Sequence, residues 1–293
     1  ASTAVVMSVH LGLGCMSVYM FGTEEQKQKF LVPQCNGDII GAFALTESTA
    51  GSDAANLRTS AVRKGDKYII NGEKIFITNG GYAGIYVTMV RTDPDSKGAK
   101  GITTLIVEKD APGLIIGKPE EKMGLKASAT VTLTFEDCEV PVENRLLEEG
   151  KGFNVAMGLL NGGRIGIAAQ GLGIAQGCLD HTIPYIKQRQ QFGRPIAATQ
   201  GVQWMIADMA TEIEAARLLV HRAAWLKDNN LPHAMEASMA KRFATDTAMR
   251  VTTDCVQLFG GYGYCKEYPV ERYMRDAKIT QIYEGTNQIQ RLV

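Results

Sequence analysis

Four short segments hold more polar and glycine residues than packing requires. In Phe43-Ala44-Leu45-Thr46-Glu47-Ser48-Thr49-Ala50-Gly51-Ser52-Asp53, hydroxyls and glycine crowd one loop. Such a loop aims backbone N–H groups at an anion or a ring edge. Taken alone, it also reads as a solvated turn. In Lys74-Ile75-Phe76-Ile77-Thr78-Asn79-Gly80-Gly81, Phe76 can lie flat on an aromatic ligand. Thr78 falls on the same side of a strand, two residues on. In isolation the segment reads as a strand with Phe76 in the core. In Arg189-Gln190-Gln191-Phe192-Gly193-Arg194-Pro195, with Gln200 beyond, Arg189 has the fork that pairs with a pyrophosphate. It equally suits a helix C-terminus. In Gln281-Ile282-Tyr283-Glu284-Gly285-Thr286-Asn287-Gln288-Ile289-Gln290, Gly285 lets the chain bend so that the Glu284 carboxylate projects from its path. A Glu beside a Gly otherwise reads as a solvated turn.

The surrounding elements must place these segments. The chain has 293 residues, about two domains at roughly 100–200 residues each. Residues 1–41 read as helical. Thr23-Glu24-Glu25-Gln26 ahead of Phe30 and Leu31 predicts a capping box, and Pro33 predicts the end of that helix. Residues 42–150 change to a strand pattern. Tyr68 to Ile75 predicts two strands joined by a hairpin at Asn71-Gly72. The runs 85–90, 102–107 and 131–135 extend an all-β zone. Residues 151–293 are helical again. Val202, Met205, Ile206, Met209, Ile213, Ala216 and Val220 mark one apolar face, stopped by Asn229-Asn230-Leu231-Pro232. A helix from His233 to Phe259 ends at Gly260-Gly261, and an earlier one spans Phe153 to Gln190 with a kink expected at Pro184. Long antiparallel helices with short connections predict a bundle. No G-x-G-x-x-G joins a strand to a helix, which argues against a Rossmann protein.

Lys+Arg and Asp+Glu are 31 each. The zero net charge gives no general attraction for nucleic acid or an anionic membrane. No run is expected to reach the roughly 18 apolar residues of a membrane helix. Cys15, Cys35, Cys138, Cys178, Cys255 and Cys265 form no C-x-x-C pair and match no zinc spacing. They read as isolated thiols in a reducing compartment. His10, His181, His221 and His233 are scattered without H-E-x-x-H, so no metal is expected. Both ends of the chain read as helix interiors, and the expectation is a longer protein lacking its N-terminal part.

In this order and spacing, A-L-T-E…A-G-S-D, F-I-T-N-G, R-Q-Q-F-G-R-P, Q-L-F-G-G-Y-G-Y and I-Y-E-G-T resemble the acyl-CoA dehydrogenase flavoproteins. The resemblance covers essentially the whole chain and is closest to short-chain (butyryl-CoA) and short/branched-chain members. It implies an α+β multidomain fold with a helical N-terminal segment, a middle β-domain and a C-terminal four-helix bundle. It also implies FAD as cofactor and α,β-dehydrogenation of an acyl-CoA to the trans-2-enoyl-CoA, or the reverse reduction. Glu284 occupies the base position and takes the α-proton, while flavin N5 takes the β-hydride. The oxyanion donors are the N–H of the base and a ribityl hydroxyl of FAD. A weakly acidic α-carbon needs both a base of raised pKa and a stabilised enolate oxygen. Some members place the base on another helix, just before an Arg. Here that stretch is Asn161-Gly162-Gly163-Arg164, and Gly163 cannot act as a base.

Carried over residue by residue, the resemblance puts Phe43, Leu45, Thr46, Gly51, Ser52, Phe76, Ile77 and Thr78 on FAD, Thr78 as the donor to N5. Arg189, Phe192, Gln200, Gln257, Leu258, Phe259, Gly260 and Gly261 contact FAD, partly across a subunit interface, and Thr286, Asn287 and Gln288 complete its site. Ser52, Asn161, Gly162, Gly163, Arg164, Tyr283 and Gly285 belong to the acyl-CoA site. Three departures stand out: Ser48 replaces the usual Pro of T-E-P, Phe76 replaces a common Trp, and Asn161 replaces a common Asp. The partners implied are an electron-transferring flavoprotein and further copies of the chain in a homotetramer. The compartment implied is the bacterial cytoplasm, or alternatively the mitochondrial matrix. An acyl-CoA oxidase and a non-catalytic flavin-binding member are the competing readings.

Overall fold

A computed structural model describes residues 1–96 and 98–293, which divide into two compact units. Residues 3–121 and 126–163 form a β-rich unit, and residues 1–2, 122–125 and 164–293 a helical unit.

In the β-rich unit, α1 (Ser2–Phe21) carries a π-helical turn at His10–Cys15, and α2 (24–36) carries another at Lys27–Leu31. The predicted capping box forms: Thr23 Oγ1 accepts from the Gln26 N–H at 3.3 Å and Gln26 Oε1 from the Thr23 N–H at 2.9 Å. Gln26 Nε2 also donates to the carbonyls of Glu143 and Arg145, pinning α2 to the sheet end. Pro33 does not end this helix. It lies in the first turn after the π segment, and the chain leaves the helix at Gly37, φ +82°. The helical bond at Val32 reaches back five residues, to Lys27. The wider turn relieves the clash that a proline makes with the carbonyl four residues back. A second expectation also changes. By length and composition α1 can cross a membrane, with mean hydropathy 1.7. Interspersed Ser, Gly and His hide this when one counts unbroken apolar runs. Here Val5, Val9, Leu13, Cys15 and Val18 are buried.

The sheet is ordered β6-β7-β3-β2-β4-β5-β8, with β1 parallel to β4. Its strands are β1 (Gly41–Ala44), β2 (Ser60–Lys64), β3 (Lys67–Thr78), β4 (Ile85–Arg91), β5 (Ile102–Glu108), β6 (Leu114–Ile116), β7 (Thr130–Pro141) and β8 (Arg145–Leu146). Asn71-Gly72 is not a hairpin. The hairpin turn is Gly65-Asp66, and Asn71-Gly72 lies inside the continuous β3, opposite a bulge whose extra residue is in β7, where the register slips between Ile70 and Gly72. Gly72 is required there: its φ is +139°, and a Cβ would lie 2.8 Å from the Thr59 Cα. Asn71 spends its amide on Asp137 of the partner strand. Tyr68, Ile70, Ile77, Tyr86, Leu105, Val131, Leu133 and Phe135 fill the core beneath.

The helical unit holds most of α3 (Gly152–Gln188), then α4 (Gln200–Asp228), α5 (Ala234–Phe259) and α6 (Val270–Thr280). The predicted face of α4 is the buried one, through Met209, Ile213, Ala216 and Val220. On α5 the buried stripe is small: Ala237, Ala240, Ala244, Ala248 and Val251. This lets α3 approach so closely that a Cβ on Gly171 would lie 3.2 Å from Thr245 Cγ2. Pro184 lies inside α3, which ends at Gln188.

Candidate active site

One buried ion pair staples together two of the β-rich unit's polar segments. Lys74 of β3 is fully buried, and Glu47, in the loop after β1, nearly so. Lys74 Nζ donates to Glu47 Oε1 at 2.8 Å and to the Leu45 carbonyl at 3.1 Å. Glu47 also accepts from the N–H groups of Arg58 (2.6 Å) and Thr59 (2.9 Å). Hydrogen bonds therefore offset the desolvation of both charges. Burial opposes ionisation of Glu47, but Lys74 and the N–H donors outweigh it and hold the carboxyl below its ordinary range. Burial pushes Lys74 down to about 8, against the pull of Glu47. The loop is thus anchored rather than a solvated turn, although Gly51, Ser52 and Asp53 at its tip are exposed.

Just past Lys74 the register with β7 slips again, and Phe76 adopts φ +58°. Its ring is 62% exposed, which overturns the core reading. A bulky residue at positive φ costs roughly 1–2 kcal/mol, held here by the surrounding strand pairing. Ile77 is buried in the sheet core, Thr78, Phe43 and Thr46 are half-buried, and Leu45 is buried.

In the helical unit the chain turns after α6 and folds back over α5. Asn287 closes that turn. Its N–H donates to the Gln281 carbonyl at 3.0 Å. Its side chain donates to Thr245 (2.9 Å) and Asp246 (2.7 Å) and accepts from Lys241 Nζ (2.8 Å). Lys241 Nζ also holds the Gly285 carbonyl at 2.8 Å. Within the turn, Glu284 at φ +51° and Gly285 at φ +91° are both left-handed. Glu284 Oε2 is sealed from solvent and has no hydrogen-bond partner among the described residues. Burial pushes its carboxyl up to about 7, against the pull of Lys241 and Arg164. Burial also pushes Lys241 down to about 8. Tyr283 donates its hydroxyl to Gln170 Oε1 on α3 at 2.5 Å. A dry carboxyl that ionises near neutrality suits a general base.

The remaining expected residues are placed as follows. Arg189 is exposed beyond α3, its N–H on the Tyr185 carbonyl and its guanidinium 5.5 Å from the Tyr262 ring centre. Phe192 (φ +52°) and Gly193 (φ +75°) form the tip of a small hairpin, β9 (Gln190–Gln191) and β10 (Arg194–Pro195), and Phe192 is fully exposed. Gln200, Gln257, Gly260, Gly261 and Gln288 are exposed. Leu258 and Phe259 pack into the core, Phe259 stacked on Tyr185 at 3.9 Å, which leaves only their backbone for a ligand. Thr286 accepts from the Ile289 N–H at 3.3 Å. Asn161, Gly162 and Gly163 lie on α3, followed by Arg164, which is buried and feels the Glu284 charge. Sequence reasoning missed Lys241, Gln290, Gln170 and the Glu47–Lys74 pair. A signal existed for Lys241, a charge inside the Ala237, Ala240, Ala244, Ala248 stripe.

The family models for the acyl-CoA dehydrogenase N-terminal, middle and C-terminal domains match residues 1–38, 42–138 and 150–293. The chain belongs to the acyl-CoA dehydrogenase family and is a flavoprotein oxidoreductase whose cofactor is FAD. It is 55% identical to a short-chain specific acyl-CoA dehydrogenase of Clostridium acetobutylicum, covering all of this chain and 77% of that protein. The structure of butyryl-CoA dehydrogenase from Megasphaera elsdenii superposes with a TM-score of 0.98 at 53% identity, over all of this chain and 76% of that one. A chain in the structure of the electron transferring flavoprotein of Acidaminococcus fermentans superposes with a TM-score of 0.98 at 57% identity, over 99% of this chain and 76% of that one.

The residues present fit FAD. The β-rich unit offers an exposed aromatic face at Phe76 and a nearby strand hydroxyl at Thr78, suited to a planar ring with a polar edge. The helical unit offers exposed Arg189 and Gln257 with the bare Gly260-Gly261 backbone, suited to phosphate and ribose oxygens.

Proposed function

We propose that the protein catalyses α,β-dehydrogenation of a short-chain acyl-CoA, or the reverse reduction, with Glu284 as the base. The observation that carries this reading is the sealed Glu284 Oε2 on a left-handed turn, unpartnered among the described residues, where burial pushes the carboxyl up to about 7. Bound FAD supplies the two-electron acceptor for the β-hydride. Glu284 takes the α-proton onto its carboxylate as the carbon–hydrogen pair moves towards the thioester carbonyl. The N–H of Glu284 meets no acceptor among the described residues, so it can stabilise the developing oxyanion. Arg164, Asn161, Gly162, Gly163, Ser52, Tyr283 and Gly285 bind the acyl-CoA. Phe43, Thr46, Phe76, Thr78, Arg189, Phe192, Gln200, Gln257 and Gly260 to Gly261 hold FAD, with Leu258 and Phe259 contributing backbone only.

The short-chain specific relatives support a short acyl group. Electrons pass to an electron-transferring flavoprotein, a reading supported by the relative found in such a structure. We place the enzyme as a homotetramer in a bacterial cytoplasm. The bacterial relatives support the compartment, and the exposed Phe192 and the apolar surface of α4 support the assembly. Domain limits at 1–41, 42–150 and 151–293 belong to the same reading.

The test is Glu284→Gln. Anaerobic butyryl-CoA is expected to bleach the flavin of the parent and not of the variant, at equal FAD content. Bleaching that survives in the variant sinks the base assignment.

A further inference from the structure

Resting on the dehydrogenase reading above, we propose that Gln290 is a positioning residue that holds the Glu284–Gly285 turn open as an oxyanion site. Gln290 is 5% exposed. Its Nε2 donates to two successive carbonyls, Gly285 at 2.9 Å and Glu284 at 3.3 Å. In a trans peptide the N–H points opposite the C=O. Gripping the Glu284 carbonyl therefore turns the Gly285 N–H the other way, and gripping the Gly285 carbonyl does the same for the Thr286 N–H. Lys241 reinforces only the second grip. Among the described residues the N–H groups of Glu284, Gly285 and Thr286 meet no acceptor, while their neighbours Tyr283 and Asn287 are hydrogen-bonded within the chain. Consecutive free N–H groups on a left-handed turn form a concavity for a negative oxygen.

Two further features belong to this arrangement. A Cβ on Gly285 would lie 2.7 Å from Gln290 Nε2, so the glycine after the base makes room for the grip as well as taking φ +91°. Gln290 Oε1 is sealed without a partner among the described residues. A side chain retained only for packing would avoid that cost. Gln290 thus acts through the backbone. It keeps two carbonyl dipoles from turning towards an enolate oxygen that they would repel.

The test uses the FAD-loaded protein and 3-thiabutyryl-CoA, whose sulfur at the third position leaves no β-hydrogen to give. Enolisation moves the α-proton to the Glu284 carboxylate and the bonding pair towards the carbonyl oxygen. In deuterated water the reverse step returns a deuteron to the α-carbon. Deuterium uptake is read by mass spectrometry, and the carbonyl stretch of the bound carbon-13 thioester by infrared difference. Gln290→Met keeps the length of the side chain and removes the donor. It is expected to slow exchange by about tenfold or more and to return the bound carbonyl stretch towards its free value, with FAD content and ligand affinity held. A folded Gln290→Met protein with parental exchange and stretch overturns the proposal. If that variant does not fold, Gln290→Glu decides: it donates only while protonated, so its exchange rate relative to parent must fall as pH rises, and a flat ratio overturns the proposal. Glu284→Gln separates the two readings. Exchange that persists there removes the base assignment, whereas exchange lost there but intact in Gln290→Met removes only the role of Gln290.

Discussion

A carboxyl raised from 4.5 to about 7 by burial is more basic than an exposed one and is still about half ionised at neutral pH. If Glu284 must be ionised to take a proton, the flavin-bleaching rate rises about tenfold per pH unit below about 7 and levels above it. A stopped-flow pH series that is flat between pH 5 and 8 contradicts this. The same shift has the opposite effect on stability. The folded chain binds this proton more tightly than the unfolded one, so the contribution of Glu284 is full below about 4.5 and is lost as pH rises through 7. Lys241, lowered to about 8, gives a stability gain between 8 and its ordinary 10.5. Its positive charge also pulls the Glu284 pKa down. Lys241→Met should therefore move the midpoint of the rate profile upward, and an unmoved or lowered midpoint in folded protein refutes the coupling.

Among the elements, β3 does most to present the β-rich unit's residues. At Gly72 it lies opposite a bulge carried by β7. Its own bulge, between Lys74 and Ile77, turns Phe76 outward directly beyond the buried Lys74. Removing one partner of the Glu47–Lys74 pair strands a charge in the core. Lys74→Met is expected to lower unfolding free energy by about 3–5 kcal/mol, measured by urea titration. A loss under about 1 kcal/mol would mean the pair is not buried as described. At Gly72, alanine is expected to cost about 1–3 kcal/mol, because the added Cβ meets the Thr59 backbone at 2.8 Å and φ is +139°. An unchanged urea midpoint contradicts the close approach of Thr59 to Gly72.

For the whole molecule, the informative surface is α4. Trp204, Leu218 and Trp225 lie seven or fourteen residues apart on its exposed side, each about 60% exposed. A stripe of that spacing occupies one helical face, and an apolar face of this kind calls for a partner. If the partner is another copy, Leu218→Glu with Trp225→Glu should reduce the assembly mass in light scattering while each subunit stays helical by circular dichroism. An unchanged mass places the subunit contact elsewhere.

The periods of the chain determined its elements. The apolar face of α4, the capping box at Thr23 and the β-rich middle zone were all legible because each depends on residues a few positions apart. The motif order also revealed the family, and it supplied Glu284 as the proposed base, since Glu284-Gly285 is a local pair. What only tertiary structure decided depends on long-range approach. Asn71-Gly72 has the composition of a hairpin, but pairing with Ser60 on one side and with β7 on the other keeps it inside one continuous strand. Phe76 has the composition of core, but a register slip against β7 turns it out. Pro33 sits inside a helix because an upstream π turn relieves it. The basicity of Glu284 comes from burial, and the Gly285 carbonyl in its turn is held by Lys241, a residue that no short motif joins to it.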